Sequence, residues 1–101
     1  MPTAYITAPP DAADELAQGL VAAELAACVN LVPCRSTYRW EGTVHEDEEA
    51  VLLAKTTDDA YPELCAYVTD HHPYDVPCIE RFAEEHVEAE FLAWRDGTVR
   101  S

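Results

Sequence analysis

Cys28-Val29-Asn30-Leu31-Val32-Pro33, Ser36-Thr37-Tyr38-Arg39-Trp40-Glu41-Gly42-Thr43-Val44 and Ala50-Val51-Leu52-Leu53-Ala54-Lys55 belong to one stretch, residues 28 to 57, and that stretch decides the fold. β-Branched and aromatic residues flank Glu41-Gly42, and Gly42 supplies the positive φ that a tight turn requires, so the stretch reads as a long β-hairpin pivoting there. A two-residue loop sets the register. Trp40 then faces Thr43, Tyr38 faces His45, Thr37 faces Glu46, Arg35 faces Glu48, Leu31 faces Leu52 and Val29 faces Ala54. Opposite charges and apolar partners fall together, as cross-strand pairs should. At the root, Val29, Leu31, Leu52 and Ala54 share one face while Val32, Val51 and Leu53 share the other. An antiparallel sheet with one wet side alternates, so a root that is apolar on both faces needs two covers. The chain's own helices supply one. Another copy of the chain is expected to supply the second.

Outward from the hairpin, Thr3 to Ala8 predicts a short first strand stopped by Pro9-Pro10. Asp11 offers an N-cap to a helix running to about Leu25, with Asp14 and Glu15 in its first turn and Leu16, Leu20 and Ala23 on one face. Pro33 cannot donate to a β-ladder, which predicts a bulge or an edge position in the first hairpin arm. After Lys55, the capping residues Thr56-Thr57-Asp58-Asp59 open a second helix with Leu64, Tyr67, Val68 and His71 at helical spacing, and Pro73 ends it. Cys78 to Ala83 is the fourth strand. Glu84 to Asp96 is a last helix, with Val87, Phe91 and Trp94 on one face and Gly97 as its stop. The order is β-α-β-β-α-β plus an extra C-terminal helix: an α+β, ferredoxin-like sandwich with helices on one face and a bare sheet face on the other.

The 101 residues make one domain, 1–101, with a single modest core. No apolar run is long enough to cross a bilayer and the N-terminus carries no basic leader pattern, so a cytoplasmic protein is expected. Cys28, Cys34, Cys65 and Cys78 form no Cys-x-x-Cys pair, which suits reduced, buried thiols. A formal net charge of -14 repels phosphates and anionic membranes, so neither nucleic acid nor a membrane is an expected partner. Acidic residues outnumber basic ones 20 to 6, the balance of a surface adapted to high salt, where screening relieves self-repulsion.

Catalytic signatures are missing. Ser36 and Ser101 are the only serines, and Gly19, Gly42 and Gly97 are too far apart for a phosphate-binding loop. Metal chemistry has more material in His71-His72, His45, four thiols and Glu46-Asp47-Glu48-Glu49, with thiolate and imidazole suiting Cu(I) or Zn(II). None of these spacings is diagnostic: the acidic run reads as a solvated strand face, and His71 and His72 suit a helix C-terminus as well as a metal. Lys55, the only lysine, ends an apolar strand. It either snorkels to water or, beside Tyr74 or His72, anchors a small anionic ligand in a subunit cleft.

Several motifs, in order, carry a family likeness: Ala26-Ala27-Cys28-Val29-Asn30-Leu31-Val32-Pro33, Tyr38-Arg39-Trp40-Glu41-Gly42, Lys55-Thr56, His71-His72-Pro73-Tyr74 with Pro77-Cys78-Ile79, and Phe91-Leu92-Ala93-Trp94. The chain resembles the CutA family of divalent-cation tolerance proteins over nearly its whole length. The resemblance implies a tight homotrimer similar in architecture to the PII signalling proteins, no assigned reaction, and divalent metal as a ligand without being required. Cys78 stands where that family usually has Glu, and Cys34 where it often has Gly. Expected on this footing are metal sites, for copper or zinc, involving Cys28, His71 and His72. The alternatives are a PII-like sensor with a ligand cleft at Trp40, Lys55 and Tyr74, and a structural trimeric scaffold.

Overall fold

The computed structural model describes residues 2–100; Met1 and Ser101 lie outside the described residues. Its elements are β1 (Pro2–Ala8), α1 (Pro10–Ala22), β2 (Cys28–Trp40), β3 (Thr43–Lys55), α2 (Tyr61–His71), β4 (Ile79–Ala83) and α3 (Ala89–Thr98). The four strands form one sheet in the order β2-β3-β1-β4, with β1 antiparallel to both β3 and β4 and β2 antiparallel to β3. This is the α+β, ferredoxin-like arrangement with a third helix.

The hairpin has the expected register from Val29 opposite Ala54 to Trp40 opposite Thr43. Glu41 and Gly42 both take positive φ, 49° and 79°, the signature of a type I′ turn whose twist matches that of the flanking strands. Pro33 pairs opposite Ala50 without a bulge. Its place on the edge strand β2 is what lets the ladder tolerate a missing donor. Thirteen residues at about 3.3 Å each give an arm of roughly 43 Å, which accounts for the molecule's longest extent of 45 Å.

One sheet face is closed by α1 and α2. Ala4, Ile6 and Ala8 of β1 lie opposite Ala54, Leu52 and Ala50 of β3, and all six are buried against Ala13, Leu16, Ala17 and Leu20 of α1 and Leu64 and Val68 of α2. Alanine at four of the six sheet positions lets the helices sit low. The opposite face has no such layer: Tyr5, Thr7, Val51 and Leu53 are only half-buried, while Val32 is 46% and Phe82 48% exposed.

Helix termini depart from the expectations in all three helices, and in α2 the N-cap is Ala60, with none of Thr56 to Asp59 in that position. Asp11 is not the cap of α1; Pro9 is, and Pro10 takes the first helical position, where its missing N–H costs nothing. The same helix stops at Ala22 instead of Leu25. Glu24 adopts φ 61° and the Leu25 and Glu24 amides return to the Leu20 and Val21 carbonyls, a Schellman closure built without glycine. The third departure is α3, which begins at Ala89, capped by the Glu88 carboxylate accepting from the Glu90 amide, and runs through Gly97 to Thr98. Its buried residue is Arg95, paired at 3.3 Å with Glu84, whose carboxylate also accepts from the Thr3 hydroxyl at 2.6 Å. Phe91 and Trp94 instead face outward, their rings 5.6 Å apart. Glu84 is thus spent on a tertiary ion pair and does not start the helix.

Where α1 meets α2, the Tyr67 ring lies against Gly19 so closely that a Cβ there would collide with the phenol. Gly19→Ala is expected to lower stability by about 1–3 kcal/mol through overpacking. In a Tyr67→Ala background the same change is expected to stabilise by up to about 1 kcal/mol, since alanine is the better helix former. Paired urea melts measure both; equal effects in the two backgrounds would contradict the contact.

Candidate functional site

Side chains on a strand alternate, so Ser36, Tyr38 and Trp40 of β2 share the bare sheet face with Glu49 of β3 and Thr7 of β1. The segment after α2 folds across this group. Its path is set by His72, whose ring lies between two backbone groups: Nε2 is 2.9 Å from the Thr7 carbonyl and Nδ1 is 3.1 Å from the Tyr74 amide. A carbonyl only accepts and an amide only donates, so the ring is neutral, with its proton on Nε2. The ring therefore bolts the 72–74 turn to β1.

Held this way, Tyr74 donates its hydroxyl to Glu49 Oε2 at 3.1 Å. Glu49 is only 6% exposed, and among the described residues no other side chain pairs with it. Tyr38 donates its hydroxyl to Asp47 on the same face. Thr7, Ser36, Tyr38, Trp40, Glu49, Tyr74, Val76 and Cys78 enclose a hollow of about 310 Å³, the size of a small-molecule pocket. Burial first, and then the bond to Glu49, push the Tyr74 phenol up to about 12. Burial, reinforced by Glu80, also raises the Cys78 thiol. Cys78 stays a protonated thiol at neutral pH, a weak ligand and a weak nucleophile.

Of the residues singled out from sequence, Trp40 and Tyr74 meet in this hollow. Lys55 does not line it within one chain: it pairs with Cys28 and Thr3, six residues along β3 from Glu49, or about 20 Å. Cys28 shares that distant end. His71 donates its Nδ1 proton to the Tyr67 carbonyl, 2.8 Å away, and stacks on the Tyr67 ring, with Nε2 left for solvent or an ion. His72 has no nitrogen left for a metal while its two bonds stand. Cys28, His71 and His72 are thus not brought together within the chain, and the described residues hold no group of three His, Cys, Asp or Glu side chains able to share an ion. Glu49 and Tyr38 escaped the sequence reading. Glu49 looked like the end of a solvated acidic run, yet its parity with Val51 and Leu53 already placed it on the two-sided root.

Because the folded phenol of Tyr74 titrates above an ordinary tyrosine's 10, its contribution to stability is complete below pH 10 and is lost as pH rises toward about 12. Tyr74→Phe is expected to flatten the fall in stability between pH 10 and 12, followed by chemical denaturation at each pH. An unchanged slope would contradict the half-buried bond to Glu49.

Comparison with known proteins agrees with this architecture. Residues 3–98 match the CutA1 divalent ion tolerance protein family. A divalent-cation tolerance protein CutA from Thermus thermophilus is 46% identical over 91 residues, 88% of each chain. The solved structure of the Thermus thermophilus Cut A1 protein superposes with a TM-score of 0.94 at 42% identity, covering 99% of this chain and 100% of that one. A PII-like protein CutA from Nostoc superposes with a TM-score of 0.95 at 27% identity, covering 99% and 98%. The chain belongs to the CutA1 divalent ion tolerance family, in the PII-like fold.

Proposed function

We propose that the protein works in the cytoplasm as a homotrimer that binds divalent metal, copper foremost, in the response to metal ions, and that it catalyses no reaction. One observation carries the assembly: half of the sheet's surface has no cover within the chain. On this face Val32, Trp40 and Phe82 are 46 to 48% exposed, and Tyr38 is exposed beside them. Burying apolar surface gains about 25 cal/mol per Å², so a second and third copy of the same face are the natural cover. Closed rotational assemblies of one chain satisfy every such face at once.

Metal binding is supported by the names of the relatives and by the ligands the chain offers. All four cysteines are free and half-buried, and His71 keeps Nε2 available. Soft sulfur and imidazole nitrogen favour copper over zinc. Since the described residues of one chain gather no three ligands, binding in this reading is of low specificity at Cys28 and His71, completed by groups from neighbouring copies. The anionic-ligand reading requires Lys55 to come from a neighbouring copy, because within one chain the charged group beside Trp40 and Tyr74 is Glu49.

The test is isothermal titration of the metal-free protein with Cu(II) and Zn(II). Copper is expected to bind at least tenfold more tightly than zinc, and to lose that binding in a variant with all four cysteines changed to Ser and His71 to Ala. His72 is kept in that variant to preserve the turn. Equal copper affinity in the ligand-free variant would overturn the metal assignment.

A further inference from the structure

The hollow under Tyr74 has a composition that a metal ion does not explain. It is walled by Tyr38, Trp40 and Tyr74 with Val76, and its one carboxylate, Glu49, is more than nine-tenths buried. Among the described residues of the chain, no lysine, arginine or histidine lines it. Both tyrosine protons are already donated to carboxylates, Tyr74 to Glu49 and Tyr38 to Asp47, so neither hydroxyl proton is free for an anion.

We infer that this hollow binds a small organic cation of the quaternary ammonium class, held by Glu49 and the rings of Tyr38, Trp40 and Tyr74. Each alternative leaves a physical deficit. An anion would face Glu49 with no compensating cation. A neutral apolar guest would strip water from that carboxylate and give nothing in return, which is costly for a buried charge. A bare divalent ion would find one carboxylate where it needs several ligands, in a space of about 310 Å³ that is far larger than an ion. A methylated ammonium head spreads its charge over methyl groups, needs no hydrogen-bond acceptor, and is attracted both by aromatic faces and by Glu49.

This inference goes beyond the metal reading and does not rest on it. The hollow lies on the face assigned to contact between copies, so the experiment uses the intact assembly as purified. Choline and its uncharged isostere 3,3-dimethyl-1-butanol are titrated separately by calorimetry. Choline is expected to bind at least tenfold more tightly than the isostere. Glu49→Gln is expected to erase that preference. Trp40→Leu is expected to weaken choline about tenfold, and Trp40→Phe, which keeps an aromatic face, to retain most of the binding. Equal binding of the two probes would show a merely apolar hollow and overturn the proposal, and so would no binding of either, as when a neighbouring copy fills the space. Failure here leaves the copper titration intact, and failure of that titration leaves this one intact.

Discussion

The structure depends on a sheet that its own chain can clothe on one side only. Two helices of 13 and 11 residues close the face built from Ala4, Ile6, Ala8, Ala50, Leu52 and Ala54, and those side chains are almost completely shielded from water. The reverse face carries Tyr5, Val32, Val51, Leu53 and Phe82 and has no layer above it. Beyond Ala50 both hairpin arms also leave the body, so their backbone is supported by each other alone. A hairpin standing free in water is marginal. The long arm and the bare face therefore pose one problem, which the proposed assembly would answer.

The same asymmetry creates the hollow. A fully covered sheet would have no room for the 72–78 segment to cross, and a fully wet one would leave Glu49 solvated on a strand. Here the segment supplies a partial lid, bolted through the His72 ring to the Thr7 carbonyl and the Tyr74 amide. Tyr74 then removes Glu49 from water while giving it a single hydrogen bond. A buried carboxylate so lightly compensated is a group poised for a positively charged guest. Cys28 and His71, by contrast, lie far apart within the chain.

Legibility in the sequence followed the range of the interaction responsible. The hairpin was readable because its register is set locally, by Gly42 at the turn and by alternation in the arms. Pro33 announced an edge strand for the same kind of reason. The end of α1 was not readable, because the left-handed position that glycine normally marks is held by Glu24. The face of α3 was misread because helical spacing at Phe91 and Trp94 suggested a core, whereas the buried residue is Arg95, whose charge is answered by Glu84 from outside the helix. Trp40 and Tyr74 were singled out in the sequence, and both line the hollow. Their company with Glu49 was hidden by the acidic run that Glu49 terminates, and the distance of Lys55 from them within one chain follows from the strand register.

The most direct measurement is sedimentation equilibrium of the purified protein at micromolar concentration, in dilute buffer and in molar KCl, with far-ultraviolet circular dichroism on the same samples. A folded species of three chain masses that persists in both conditions is the expected result. A well-folded species of one chain mass would mean that the bare sheet face tolerates water, and would contradict the account at its base.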